Sequence, residues 1–174
     1  MTAIPLSLQA LSAHAFAPFG DVLQKEDRVQ QIINYGHTLK FADLASLDLG
    51  EQGGRPAVHI YHGLPVSLPL RIEVMERHPL GSQAFMPLQE RPFVVIVAPA
   101  GAAPGPTDVR GFFSNGQQGI NIHKGVWHHY QVTLGEPADY LVIDRAGPDG
   151  NFDEHRLTRP LVVEHVPWLG SASG

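Results

Sequence analysis

The chain has 174 residues, 43% hydrophobic and 17% charged, as expected for one folded domain with a core of its own. Its 12 basic and 17 acidic residues give a net charge of −5 with no block of either sign, which excludes the clustered Lys and Arg of a nucleic-acid binder. There is no cysteine, so disulfide scaffolds, thiolate zinc sites and cysteine nucleophiles are excluded and a cytoplasmic protein is expected.

Residues 1–21 lack a basic leader region and carry polar residues throughout, so no signal peptide is expected. Residues 12–20 read as a short helix, with Ser12 as its cap, Pro18 limiting its length and Gly20 at its exit. From there the chain reads as short strands at 57–62, 71–75, 93–98, 110–114, 119–123, 129–134, 140–144 and 161–165. Each is bounded by Gly, Pro, Asn or Asp. Many short strands with regular turn signals imply a mainly β sandwich or barrel. The run Phe93–Ala98 is too short to span a bilayer, so no membrane is expected as a partner. The Pro/Gly/Ala-rich stretch 98–108 reads as a surface loop inside one domain spanning 1–170, with 171–174 as a frayed tail.

Three clusters carry chemistry. Glu76 and His78 are two apart, so on a strand they share a face and can hold a divalent metal. Gln83 follows a Pro-Leu-Gly-Ser turn and can return to the same place. Taken alone, the pair fits a solvated face equally well. The second cluster is Asn121-Ile-His123-Lys124-Gly-Val-Trp127-His128-His129. His123 and His128 flank a glycine turn and can face one cavity, which Trp127 can wall. His128 and His129 are adjacent, so on a strand only one of them points inward. The third cluster, Asp144-Arg145, ends an apolar strand and fits either a barrel mouth or a structural ion pair. Phosphate loops, serine nucleophile elbows and the helical zinc motif are missing.

The segment His123–His128 resembles the second cupin motif, with His123 where proline is usual. Glu76-x-His78-x4-Gln83 resembles the first, with Glu76 and Gln83 replacing the usual His and Glu. Those departures, with MERHPLGSQAFMPL (75–88), PFVVIVAP (92–99), FSNGQQGINIHKGVWHH (113–129), DYLVIDRAG (139–147), FAPFGDVL (16–23) and the Ile33-Asn34-Tyr35-Gly36 stretch, are similar to the ureidoglycolate lyase family. The resemblance runs from Phe16 to Gly147.

It implies a single cupin-type β-barrel (a double-stranded β-helix or jelly roll) with a short N-terminal helix, acting as a homodimer. It implies a carbon–nitrogen lyase of allantoin breakdown that splits (S)-ureidoglycolate into glyoxylate and urea. On that basis a divalent metal is expected at Glu76, His78, Gln83 and His128, nickel before manganese or zinc, with no organic cofactor. His123 is the expected proton shuttle, with Glu76 and Asp144 as further catalytic groups. Arg145 or Lys124 is expected to hold the substrate carboxylate where the metal does not, Asn34 and Asn121 its urea end, and Trp127 to pack against or wall the pocket. The competing readings are another metal-dependent cupin enzyme acting on a small hydroxy acid, and a non-catalytic module that binds a small anion.

Overall fold

Phe93–Ala98 is buried at every position, and alternation explains how. Phe93, Val95 and Val97 pack into one core with Phe16, Phe112, Ile120, Tyr140 and Val142. Val94, Ile96 and Ala98 pack into a second core with Ile72, Met75, Trp127 and Leu161. A strand buried on both faces reads as a continuous apolar run rather than an alternating one.

The computed structural model describes residues 2–25, 30–148 and 150–167; the expected tail at 171–174 lies outside them. Around Phe93–Ala98 a nine-stranded sheet runs in the order Ile4–Pro5, Asp153–Val163, Leu70–Arg77, Trp127–His128, Phe93–Ala98, Arg110–Phe113 and Leu8–Ala10. Val132–Leu134 and Pro65–Val66 branch from it. A five-stranded sheet runs Gly20–Leu23, Gly119–Ile122, Gln83–Pro87, Ala138–Ala146 and Arg55–Gly63. The first core lies between the two sheets, because it mixes Phe85, Ile120 and Val142 of the smaller with Phe93, Val95 and Phe112 of the larger.

The architecture is therefore mainly β, as expected: two facing sheets that do not close into one barrel, an arrangement consistent with the expected sandwich or jelly roll. The helix is one turn, Ala13–Phe16, whose Ala15 amide donates to the Ser12 hydroxyl at 3.2 Å. Gly20 opens a strand instead of ending the helix: a Cβ there would lie 1.9 Å from the Asn121 carbonyl oxygen. A separate hairpin, Gln30–Ile33 with Thr38–Phe41, has no counterpart in the expected strands. Among the described residues no helix is long and apolar enough to cross a membrane.

Register positions the site. His128 lies directly opposite Glu76 in an antiparallel pair, and opposite Val97 on its other side. His78 follows two residues after Glu76, at the end of the same strand. On the facing sheet, Gln83 begins the strand Gln83–Pro87 beside Ala138–Ala146.

Candidate active site

A cavity of about 540 Å³ opens where the sheets face each other. Ile60, Tyr61, Phe85, Ile120 and Ile122 form much of its apolar wall. Glu76, Gln83 and His128 converge on it from three strands, with His78 and His129 each just past the end of one.

Hydrogen-bond partners fix the tautomers of its histidines. Nδ1 of His78 lies 2.7 Å from the Asn151 carbonyl, Nδ1 of His128 lies 3.2 Å from the Val126 carbonyl, and Nδ1 of His129 lies 2.9 Å from the Val74 carbonyl. A carbonyl only accepts, so each Nδ1 carries the proton and each Nε2 of a neutral ring is a bare acceptor. Nε2 of His128 and of His129 are buried without a hydrogen-bond partner.

His128 Nε2 faces Glu76 Oε1 at 3.5 Å. A neutral imidazole lone pair beside a carboxylate is repulsive, so a proton or a metal ion belongs there. With a proton the pair is ionic. Burial opposes ionisation of Glu76, but the adjacent His128 ring and the charges of His78 and His129 outweigh it, and its pKa falls below the usual range. Burial pushes the His78 pKa down, more than the Asn151 carbonyl and the nearby carboxylates raise it. A ring kept neutral is a ring that can ligate. One ligand atom each from Glu76, His78 and His128 lies within 4.8 Å of the other two. Two imidazoles and a carboxylate with open positions suit a divalent transition ion, and the two carbonyls that orient the rings are the outer support such a site needs. These residues fit a metal.

Gln83 is buried beside them, and its Nε2 donates to Asp144 Oδ2 at 3.2 Å.

The ureidoglycolate lyase family pattern matches residues 3–164. The chain is 47% identical to a ureidoglycolate lyase of Burkholderia mallei (strain NCTC 10229) over 156 residues, covering 90% of this chain and 91% of that one. It is 44% identical to a ureidoglycolate lyase of Pseudomonas putida (strain W619), covering 91% and 95%. The chain belongs to the ureidoglycolate lyase family. A solved 3,4-ketoisomerase from Helicobacter canadensis overlaps 76% of this chain and 87% of its own at 12% identity and a TM-score of 0.43, too loosely to bear on the fold.

For this member of the ureidoglycolate lyase family, the structure brings together Glu76, His78, Gln83 and His128, with Asp144 behind Gln83. It does not bring the other expected residues to the cavity. His123 Nε2 pairs with Asp21 Oδ2 at 3.1 Å. Asn121 donates to the same Asp21 oxygen at 2.9 Å and to the Ser46 carbonyl at 3.1 Å. Strand alternation is the reason: Ile120 and Ile122 face the cavity, so Asn121 faces away. Lys124 pairs with Asp48 at 2.9 Å and with Glu51.

Arg145 follows Asp144 on its strand and so points to the opposite face. Its guanidinium donates to the carbonyls of Glu51 at 2.9 Å and Gln52 at 3.3 Å. Gly54, Gly81 and Gly147 cradle it; a Cβ on any of them would come within 2.7 Å of the side chain. Asn34, at φ 52°, bonds Thr38 on the exposed hairpin. Trp127 packs beneath the Arg77 guanidinium, 4.6 Å from its ring centre.

Sequence reasoning overlooked Tyr61, His62 and Tyr130, which also line the cavity, and turned His129 outward. The polar residues of His59-Ile-Tyr61-His62 inside an apolar strand were the available signal. His129 escapes the alternation argument because the strand ends at His128.

Proposed function

We propose that the protein is a ureidoglycolate lyase that cleaves (S)-ureidoglycolate to glyoxylate and urea during allantoin breakdown. The observation that carries this reading is the family match over 3–164; the acceptor-rich cavity supports it chemically. In this reading the enzyme is a cytoplasmic carbon–nitrogen lyase of the amidine-lyase type and of cupin descent. Glu76, His78 and His128 hold one divalent ion, nickel before manganese or zinc.

The substrate carries a carboxylate, a hydroxyl and a ureido group on one carbon. In its cleavage the hydroxyl loses its proton, the C–O bond becomes the glyoxylate carbonyl, the C–N bond breaks, and the ureido nitrogen gains a proton and leaves as urea. Acceptors alone repel an anion, so a divalent ion held by Glu76, His78 and His128 would supply positive charge for the substrate oxygens and would lower the hydroxyl pKa.

In this reading His129, rather than the expected His123, takes the proton-transfer role. Burial lowers the pKa of the His129 ring and favours its neutral form; the residue lines the cavity, and its buried Nε2 has no partner. It is placed to accept the hydroxyl proton and return it to nitrogen. Tyr61 stays a donor: burial, then the charges of Asp144 and Glu76, push its phenol pKa up.

A homodimer is part of the same reading. The strand Arg55–Gly63 pairs on one side only and exposes Val58 at 66% and Ile60 at 60%, a free apolar edge of the kind that a second copy covers.

The test supplies racemic ureidoglycolate with added nickel, manganese or zinc and measures glyoxylate, urea and ammonia. Glyoxylate and urea in equal amounts without ammonia support the lyase. Ammonia points to an amidohydrolase, and oxygen consumption to a different metal enzyme. Absence of turnover with all three metals removes the assignment.

A further inference from the structure

Gln83, Asp144 and His59 form a hydrogen-bonded line across three neighbouring strands of the smaller sheet. Ile143 is in register with Ala84, which puts Gln83 and Asp144 at adjoining positions. Val142 is in register with His59, which sets His59 diagonal to Asp144. Gln83 Nε2 donates to Asp144 Oδ2 at 3.2 Å, and His59 Nε2 donates to Asp144 Oδ1 at 3.1 Å. A carboxylate only accepts. It therefore decides which way round the Gln83 amide sits: the –NH2 end goes to Asp144, and the carbonyl is left for the cavity that Gln83 lines.

Glu76, His78 and His128 already make a three-ligand centre with open positions, the usual count for a catalytic ion. An amide oxygen is a weak fourth ligand beside them, but a good acceptor for an N–H. The terminal –NH2 of a ureido group brings two such donors, and acceptors occupied by an ion cannot satisfy them.

We infer that Asp144, steadied by His59, is a positioning residue that holds the Gln83 carbonyl toward the cavity, so that Gln83 reads the terminal –NH2 of the substrate. This rests on the ureidoglycolate reading and assigns the end of the substrate that Gln83 recognises. A buried acceptor that loses its partner rejects the ligand lacking it. The residue pair thereby separates a ureido acid from an isosteric acyl amide with methyl in place of –NH2.

The experiment needs no turnover. Calorimetry on the metal-loaded protein compares ureidoacetate, which lacks the reactive hydroxyl, with N-acetylglycine, which replaces –NH2 by methyl. The wild type is expected to prefer ureidoacetate by about ten-fold or more, the value of one well-made hydrogen bond. Asp144→Ala and Gln83→Leu are expected to reduce that preference to within about two-fold. Asp144→Asn, whose side-chain carbonyl still accepts from Gln83, is expected to keep it. Metal content is expected to be equal in all four proteins.

No preference in the wild type, or a full preference in both Asp144→Ala and Gln83→Leu, overturns the inference. Loss of metal in Gln83→Leu also overturns it, because Gln83 is then a ligand. If Asp144→Ala does not fold, Gln83→Leu carries the same comparison. Ureidoglycolate turnover measured in parallel tests the lyase reading separately, since either result can fail with the other intact.

Discussion

Two polar clusters, which meet in sequence between Asn121 and His129, differ in how their side chains are partnered. In the first, His123, Asn121, Lys124 and Arg145 each find partners: Asp21, Ser46, Asp48, Glu51 and Gln52. In the second, His78, His128 and His129 give their Nδ1 protons to backbone carbonyls, and His128 Nε2 faces Glu76 Oε1 at 3.5 Å. The first cluster is largely complete within the chain, and the second is completed by something else. Richness in histidine does not separate them, nor does an unmet polar atom alone, since Asn121 Oδ1 and Arg145 Nη1 are also buried without partners; what marks the second is that ligand atoms of Glu76, His78 and His128 converge within 4.8 Å of one another.

That comparison sorts the effects of substitution. Replacing His129 by alanine is expected to lower kcat by about 10²–10⁴-fold while bound metal stays at the wild-type level; kcat within two-fold of wild type would remove His129 from proton transfer.

In the completed cluster the expected effect is on stability. Arg145→Ala leaves the Glu51 and Gln52 carbonyls without their donor and empties the three-glycine cradle. It is expected to cost about 1–3 kcal/mol in urea unfolding, with metal binding unchanged in the folded fraction. A stable Arg145→Ala protein that has lost substrate affinity would instead give the guanidinium back to the carboxylate.

The smallest effect concerns pH. Burial opposes ionisation of Asp21, but hydrogen bonds from Asn121, His123 and the Ser46 amide, with the charge of His123, outweigh it and lower its pKa from 3.8. A carboxylate with a lowered folded pKa adds stability that is present above 3.8 and is lost as pH falls through the folded value. His123→Ala removes one of those bonds, so circular dichroism should show acid unfolding beginning at a higher pH, with kcat at neutral pH within about two-fold of wild type. A fall in kcat on the scale of a lost acid–base catalyst, about 100-fold or more, would restore His123 to the site.

The same contrast explains what could be read from sequence. Burial of Phe93–Ala98 on both faces and the shared face of Glu76 and His78 follow from local periodicity, which left open whether His128 or His129 turns inward. Strand alternation also carried the information that Asn121 and Arg145 point away from the cavity, given that Ile122 and Asp144 point toward it. The pairing of His123 with Asp21 was not legible, because it joins residues 102 apart in sequence. The pairing of the outer strands was hidden for a similar reason. It depends on strands of two or three residues, such as Ile4–Pro5 and Leu8–Ala10, that join the larger sheet in parallel through distant partners. Periodicity has nothing to register on segments so short.

The most direct test is a metal titration. Chelator-treated protein is titrated with nickel while glyoxylate release from ureidoglycolate is followed, for the wild type and for His128→Ala. About one ion per chain should restore turnover in the wild type, and His128→Ala should bind nickel at least about 100-fold more weakly and stay inactive. Full turnover by the chelated wild type, or wild-type nickel affinity in His128→Ala, would contradict the assignment of Glu76, His78 and His128 as the centre of the site.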